Sequence, residues 1–186
     1  DPIDILSDLI DPNYMKTFRT NKYLKPARSE FQIMMRKNGK KTLQKGHILT
    51  DQEYANHSEK VVEKFNYMIN NDGNIPNHLK TKKFAQRLIP KKWGEDGPNI
   101  TATSLPDDYV HYSQPRILTV REWARLQMFP DWYRFYGKKT TGGSRRAGNP
   151  RENNFDRELP KYTQIGNAVP VGLAKKVGQH FIKLFN

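Results

Sequence analysis

The sequence predicts an α+β chain, with an irregular, mostly β region over about residues 11–115 that gives way to helices. Three observations point to this. An Asn38-Gly39 pair follows a weakly alternating run, and proline and glycine recur between Ile75 and Asp108. The last third carries helix-start signals and a one-sided apolar pattern.

The chain opens in Asp1-Pro2, without an initiator Met, and runs at once into Ile3, Ile5, Leu6, Leu9 and Ile10. Such a start is expected of a fragment of a longer polypeptide. Phe31-Gln32-Ile33-Met34-Met35 alternates weakly into Arg36-Lys37-Asn38-Gly39-Lys40, and Asn-Gly accepts positive φ, so a β-hairpin is expected there. Thr50-Asp51-Gln52-Glu53 has the spacing of a capping box. The helix it would open carries Tyr54, Val61, Phe65, Met68 and Ile69 on one side and stops at Asp72-Gly73. Pro76, Pro90, Gly94, Gly97, Pro98 and Pro106 then leave room for little but loop and short strand.

Thr119-Val120-Arg121-Glu122 is a second capping box, and its helix must end before Phe129-Pro130, because the residue before proline avoids helical geometry. A polar stretch rich in Gly, Asn and Arg fills Arg134 to Lys161. A final helix is expected from near Asn167, with that side chain as cap and Pro170 in the first turn. Leu173, Val177, Phe181 and Leu184 fall on one face of it.

The 186 residues carry 32 Lys+Arg against 19 Asp+Glu, a formal net charge of +13. An excess of that size points to a polyanionic partner, because each cation set against a phosphate releases a counterion. Ten of the cations and one acid lie in Lys16–Lys45; six cations and no acid lie in Lys80–Lys92; eight cations and three acids lie in Arg134–Lys161. Aromatic residues are interleaved with them. No stretch approaches the roughly 20 apolar residues of a membrane span. There are no cysteines, which excludes disulfides and thiolate metal sites, and the five histidines do not fall at metal-ligand spacing.

Two segments go beyond composition. Arg116-Ile117-Leu118-Thr119-Val120-Arg121-Glu122-Trp123-Ala124-Arg125-Leu126-Gln127-Met128-Phe129-Pro130-Asp131 reads as a capped helix with an apolar stop. Gln164-Ile165-Gly166-Asn167-Ala168-Val169-Pro170 reads as a tight turn into a helix, whose backbone N–H groups suit a small polar ligand. On physical grounds alone both are structural. In wording and order, however, they resemble the last two conserved motifs of the DNA (cytosine-5) methyltransferases. More weakly, Asp4-Ile5-Leu6-Ser7-Asp8-Leu9 is similar to that family's exit from the catalytic domain, and Gly97-Pro98-Asn99-Ile100-Thr101-Ala102 to the core of its target recognition domain, with Asn99 where the family has Thr.

The resemblance implies a division into five parts. Residues 1–10 leave the catalytic domain, 11–115 form the target recognition domain, and 116–133 form the motif helix. Residues 134–161 are then a basic loop, and 162–186 pack on the α/β S-adenosylmethionine-dependent methyltransferase domain. It implies that Arg116, Arg121, Glu122 and Arg125 organise the interior, and that Asn167 and Val169 line an S-adenosylmethionine pocket lying mostly outside this chain. Together with the charge, it nominates Lys82, Lys83, Thr101, Lys138, Lys139, Arg145 and Arg146 as DNA contacts.

The partners implied are double-stranded DNA and a catalytic portion, in the same polypeptide or another subunit. No membrane is expected, and the place is the bacterial cytoplasm with the nucleoid. The family's cysteine nucleophile has no counterpart here, so the chain alone is expected to be inactive, and no metal is called for. A stand-alone DNA-binding module without enzyme activity is the alternative, and a plain interaction domain a third. An unpartnered apolar stripe on the last helix is also expected, and with it self-association or partner binding.

Overall fold

In the computed structural model, the structure describes residues 1–80, 86–93, 108–140, 150–153 and 157–185. The elements are α1 (Pro2–Leu6), α2 (Glu30–Arg36), β1 (Lys37–Asn38), β2 (Lys41–Thr42), α3 (Glu59–Asn70), β3 (Arg87–Leu88), β4 (Tyr109–Val110), α4 (Val120–Leu126), α5 (Lys161–Gly166) and α6 (Val171–Phe185), with short 3-10 turns between them. The chain mixes helix and strand. Within 11–115, however, the described residues hold two short strand pairs and two longer helices, so that region is not mostly β. Other pairing there is confined to single bridges such as Arg19 to Glu53 and Lys22 to Ile48, with Asp51 at positive φ between Ile48 and Glu53.

The hairpin forms where the sequence puts it. β1 pairs antiparallel with β2, Lys37 opposite Thr42 and Asn38 opposite Lys41. The turn is Gly39-Lys40, with positive φ at Gly39 (59°) and not at Asn38, so glycine takes the first turn position. The run ahead of it is helical rather than extended. Ser29 accepts from the Gln32 backbone N–H and the Gln32 side chain reaches back, a complete capping box that opens α2.

The capping box expected at Thr50–Glu53 does not form, because its groups bond elsewhere. Thr50 Oγ1 accepts from Arg121, Asp51 sits at φ 63° with its carboxylate between Arg121 and Lys161, and the Glu53 backbone is drawn into an extended pairing with Arg19. The helix starts instead at Glu59. It buries Phe65 and Met68, leaves Tyr54 outside, and stops where Asp72 and Gly73 take positive φ.

α4 is the centre of the molecule. Thr119 and Glu122 form the expected capping box, and Met128 turns the chain at φ 60° before Phe129-Pro130. Trp123 is fully buried and meets Tyr109 edge-on at 5.7 Å, a contact contributing about 0.5–1.5 kcal/mol beyond its burial. Around it lie Leu6, Leu9, Tyr23, Leu49, Ile89, Leu118, Tyr162 and Ile165, drawn from the whole length of the chain. Parallel pairing of β3 with β4 and a bridge from Val110 to Ile117 place Val110 over Phe65 and Met68.

The chain's last two elements also differ from expectation. Residues 161–166 are helical, anchored by buried Tyr162 and Ile165, so Asn167 ends α5 rather than capping the final helix. α6 begins at Val171, and the Pro170 carbonyl accepts its first bond from the Ala174 N–H at 3.0 Å. No residue of α6 is buried; Leu173, Val177, Phe181 and Leu184 are about half exposed or more.

Candidate functional site

The charged residues of the motif helix region all point inward, Asp131 among them. Arg116, Arg121, Glu122 and Arg125 are each at most 1% exposed. Glu122 accepts from Arg116 Nη1 (2.7 Å) and Nη2 (2.6 Å), from the Thr119 N–H (2.9 Å) and from Gln52 Nε2 (3.2 Å). Burial alone would raise its carboxyl, but the Arg116 guanidinium and these donors hold it down at about 2. Arg116 spends its remaining donors on Gln114 Oε1 and the Ile117 carbonyl.

Arg125 ties three parts of the chain together. Its guanidinium binds Asp131 (2.6 Å) on one side and Asp8 on the other, and donates to the Ile5 carbonyl at 2.7 Å. Asp8 also holds Arg36, whose guanidinium lies 3.8 Å over the Tyr23 ring. Burial opposes the Asp131 charge, and Arg125, Arg121 and the Tyr23 hydroxyl more than offset it, leaving the carboxyl below its ordinary value. Arg121 reaches Thr50, Asp51 and the carbonyls of Pro130 and Tyr133.

His111 is fully buried beside this cluster. Burial, then the Arg116 charge, lower it to about 3 against the opposing pull of Glu122, so the ring is neutral. Its Nδ1 accepts from the Ser113 and Gln114 N–H groups, which puts the proton on Nε2, 3.9 Å from Glu122.

The turn at Asn167–Val169 has a different character. Both side chains are exposed, yet the backbone is fastened: Gln127 Nε2 donates to the carbonyls of Ile165 and Ala168, and the Val171 N–H donates to the Gln127 carbonyl at 3.1 Å. Asn167 and Val169 therefore stand side by side on a held loop that runs into the uncovered helix α6.

Of the sequence-nominated DNA contacts, the structure brings Lys138 and Lys139 near one another but into different surroundings. Lys138 is exposed and lies 3.4 Å from Glu158. Lys139 is half-buried and donates to the Tyr54 carbonyl; burial lowers its pKa and nearby Glu53 raises it. Lys82, Lys83, Thr101, Arg145 and Arg146 lie outside the described residues.

Sequence reasoning missed Asp8, Gln52, Gln114 and Asp131 as partners of the motif, and Gln127 as the fastener of the turn. Asp131 and Gln127 sit in the stronger motif and Asp8 in the weaker one at the start of the chain; nothing local marks Gln52 or Gln114 as its partners. Clefts of about 420, 510 and 370 Å³ open around Tyr14–Phe18, along Arg19–Lys22, and beside Trp132. None of the three is lined by Asn167 or Val169. Among the described residues no cluster of three or more His, Asp and Glu is arranged to hold a metal, and no helix is long and apolar enough to cross a membrane.

Residues 5–183 match the family described as C-5 cytosine-specific DNA methylase. The type II methyltransferase M1.HphI of Haemophilus parahaemolyticus is 30% identical over 139 residues, 74% of this chain and 32% of its own length. The type II methyltransferase M.BbvI of Brevibacillus brevis is 35% identical over 143 residues, 72% of this chain and 33% of its own length. A plant protein, DNA (cytosine-5)-methyltransferase 3 of Zea mays, is 38% identical over 88 residues, 46% of this chain and 8% of its own length. The chain thus spans about a third of the length of the two type II relatives. With a match running across nearly all of its residues, the chain belongs to the C-5 cytosine-specific DNA methylase family.

Proposed function

We propose that this chain is the DNA-recognition portion and C-terminal segment of a DNA (cytosine-5) methyltransferase of a restriction-modification system. The complete enzyme methylates C5 of cytosine within a specific DNA sequence, in the bacterial cytoplasm with the nucleoid. In such a reaction a cysteine thiolate attacks C6 of a cytosine turned out of the duplex. This chain has no cysteine, so the nucleophile comes from a further segment or subunit, and the chain alone is inactive.

The reading rests above all on one observation. A fastened turn presents exposed Asn167 and Val169 at the foot of an apolar helix that nothing covers. S-adenosylmethionine supplies the methyl group when bound. Asn167 offers an amide donor and acceptor and Val169 an apolar wall, which suits one side of a cofactor pocket and not a whole one. Gln127 holds that wall in place, and Leu173, Val177 and Phe181 seat it on the catalytic portion.

Arg116, Arg121, Glu122 and Arg125 organise the recognition region, and Arg125 fastens it to the segment that precedes it through Asp8 and Ile5. Lys82, Lys83, Thr101, Lys138, Lys139, Arg145 and Arg146 face DNA in this reading.

The test combines the chain with the cysteine-bearing portion encoded alongside it and measures labelled methyl transfer to DNA. Transfer is expected from the pair and from neither part alone. Transfer by this chain alone, or none from the pair, overturns the reading. Asn167→Ala in the pair should weaken cofactor binding, read by equilibrium dialysis, while leaving DNA affinity in place.

A further inference from the structure

Two of the clefts adjoin and together line a groove. The larger runs between the extended segment 19–22 and residues 134–136; the smaller continues past Arg134 towards Trp132 and Asn38. Ile48, Thr50 and Arg134 line both. Its walls are held in place. Arg19 and Lys22 lie on a stretch bridged to Glu53 and Ile48, and Phe135, buried beneath, turns Arg134 and Tyr136 outward on either side.

The charge in this groove is one-sided. Arg19, Lys22 and Arg134 are exposed, and none of them makes an ion pair among the described residues. Two of the acids lining it are already engaged: Asp51 with Arg121 and Lys161, Asp131 with Arg125. Glu53 is the acid left facing the groove, with Lys139 beside it. Rings stand on the same walls, Tyr136 78% exposed and Trp132 48%. Cations without partners beside rings open to solvent suit a nucleic-acid strand, whose phosphates need the first and whose base faces need the second.

We propose that this groove tracks the sugar–phosphate backbone of a DNA strand, with phosphates on Arg19, Lys22 and Arg134 and an unstacked base against Tyr136. The proposal rests on the reading that the chain binds DNA, and adds a location and a mode by joining the start of the basic loop to the Arg19–Lys22 segment. A methylating enzyme that turns a nucleotide out of its duplex disturbs the stack around it, and a track of this kind would hold a strand so loosened.

The test is fluorescence anisotropy on the full chain, with a labelled 25-nucleotide single strand, its duplex, and a poly-glutamate peptide as probes. The variant Arg19→Ala/Lys22→Ala/Arg134→Ala should weaken strand binding at least about tenfold and flatten the slope of log affinity against log salt by about 2, at roughly 0.7 per phosphate contact on a single strand. Tyr136→Ala should weaken strand binding by about tenfold and duplex binding much less, since each stacked base contributes on that order. The control Lys175→Ala/Lys176→Ala/Lys183→Ala removes the same charge from α6 and should change neither. All these positions are exposed, and unchanged near-ultraviolet circular dichroism checks the fold.

If the chain binds DNA and the groove variant behaves as the α6 control does, the groove is overturned and the DNA-recognition reading stands. If Tyr136→Ala binds the strand as the wild type does, the stacked base is overturned. Poly-glutamate held as tightly as the strand and lost in the same variant makes the groove an acidic-protein site and overturns the proposal. If the chain binds no DNA at all, the DNA-recognition reading falls and takes the groove with it.

Discussion

Glu122→Gln is the sharpest probe of the buried charge network. The wild-type carboxylate accepts both Arg116 donors at 2.6 and 2.7 Å, with Gln52 and the Thr119 N–H completing its shell. A glutamine keeps the shape but removes the charge, and its amide nitrogen turns a donor towards donors. Arg116, 1% exposed, then keeps Gln114, the Ile117 carbonyl and one neutral amide oxygen in place of a carboxylate. Removing one partner of a buried ion pair costs about 3–5 kcal/mol. A second route gives a similar figure. The step from an ordinary 4.5 down to about 2 corresponds to about 3 kcal/mol at roughly 1.36 kcal/mol per pH unit.

Against a total stability of about 5–15 kcal/mol, that is a large fraction. In urea unfolding of the chain, the midpoint should fall by about 2 M with an unchanged slope of about 2 kcal/mol/M. The pH dependence has a definite sign. A carboxyl held below its ordinary value stabilises the fold fully above pH 4.5, and the stabilisation drains away as pH falls towards about 2. Wild type minus variant should therefore be flat above pH 4.5 and shrink below it. A midpoint shift under about 0.5 M, or a difference that persists undiminished at pH 2–3, refutes the reasoning.

Asp8→Ala leaves Arg36 without an acid and Arg125 with Asp131 alone, and should cost about 3–5 kcal/mol, read as a lower urea midpoint. His111 is buried neutral with its pKa at about 3, below the ordinary 6.5, so it costs stability progressively as pH falls from 6.5 towards 3. His111→Asn, whose side-chain oxygen can replace Nδ1 as acceptor, should remove about 2–3 kcal/mol of the decline between pH 6.5 and 4.5; an unchanged decline counts against it. Leu173→Ser/Val177→Ser/Phe181→Ser should abolish concentration-dependent self-association of the chain in sedimentation, with under about 0.5 kcal/mol change in unfolding, because these side chains touch no core. Sedimentation as a monomer by the wild type would remove the basis for that expectation.

The helix at Thr119–Leu126, the hairpin turn at Gly39 and the stop at Asp72-Gly73 were legible in the sequence because each is set by groups within a few residues of one another. The apolar face of the last helix was legible for the same reason, as a period of 3.6. Capping signals proved ambiguous: Ser29 and Gln32 close a box that the alternation of Phe31–Met35 disguised, while Thr50 and Glu53 have the same spacing and no helix. The Thr50 hydroxyl is claimed by Arg121, Glu53 pairs through its backbone with Arg19, and no local pattern announces a partner about 70 residues away. Asn167 was read as a cap because Lys161–Gly166 has little amphipathic pattern to mark it; burial of Tyr162 and Ile165 makes it helical.

By itself, then, the order of residues determined the family, the basic character, the absence of cysteine and the elements whose signals are contained within a turn. Tertiary structure alone decided which carboxylate meets which guanidinium, because Asp8, Gln52, Gln114 and Asp131 come to the motif helix from distant points of the chain. It also decided which cations stay free. Charge along a sequence carries no direction, and only packing separates a lysine spent on a carbonyl, such as Lys139, from arginines left open to solvent beside Tyr136.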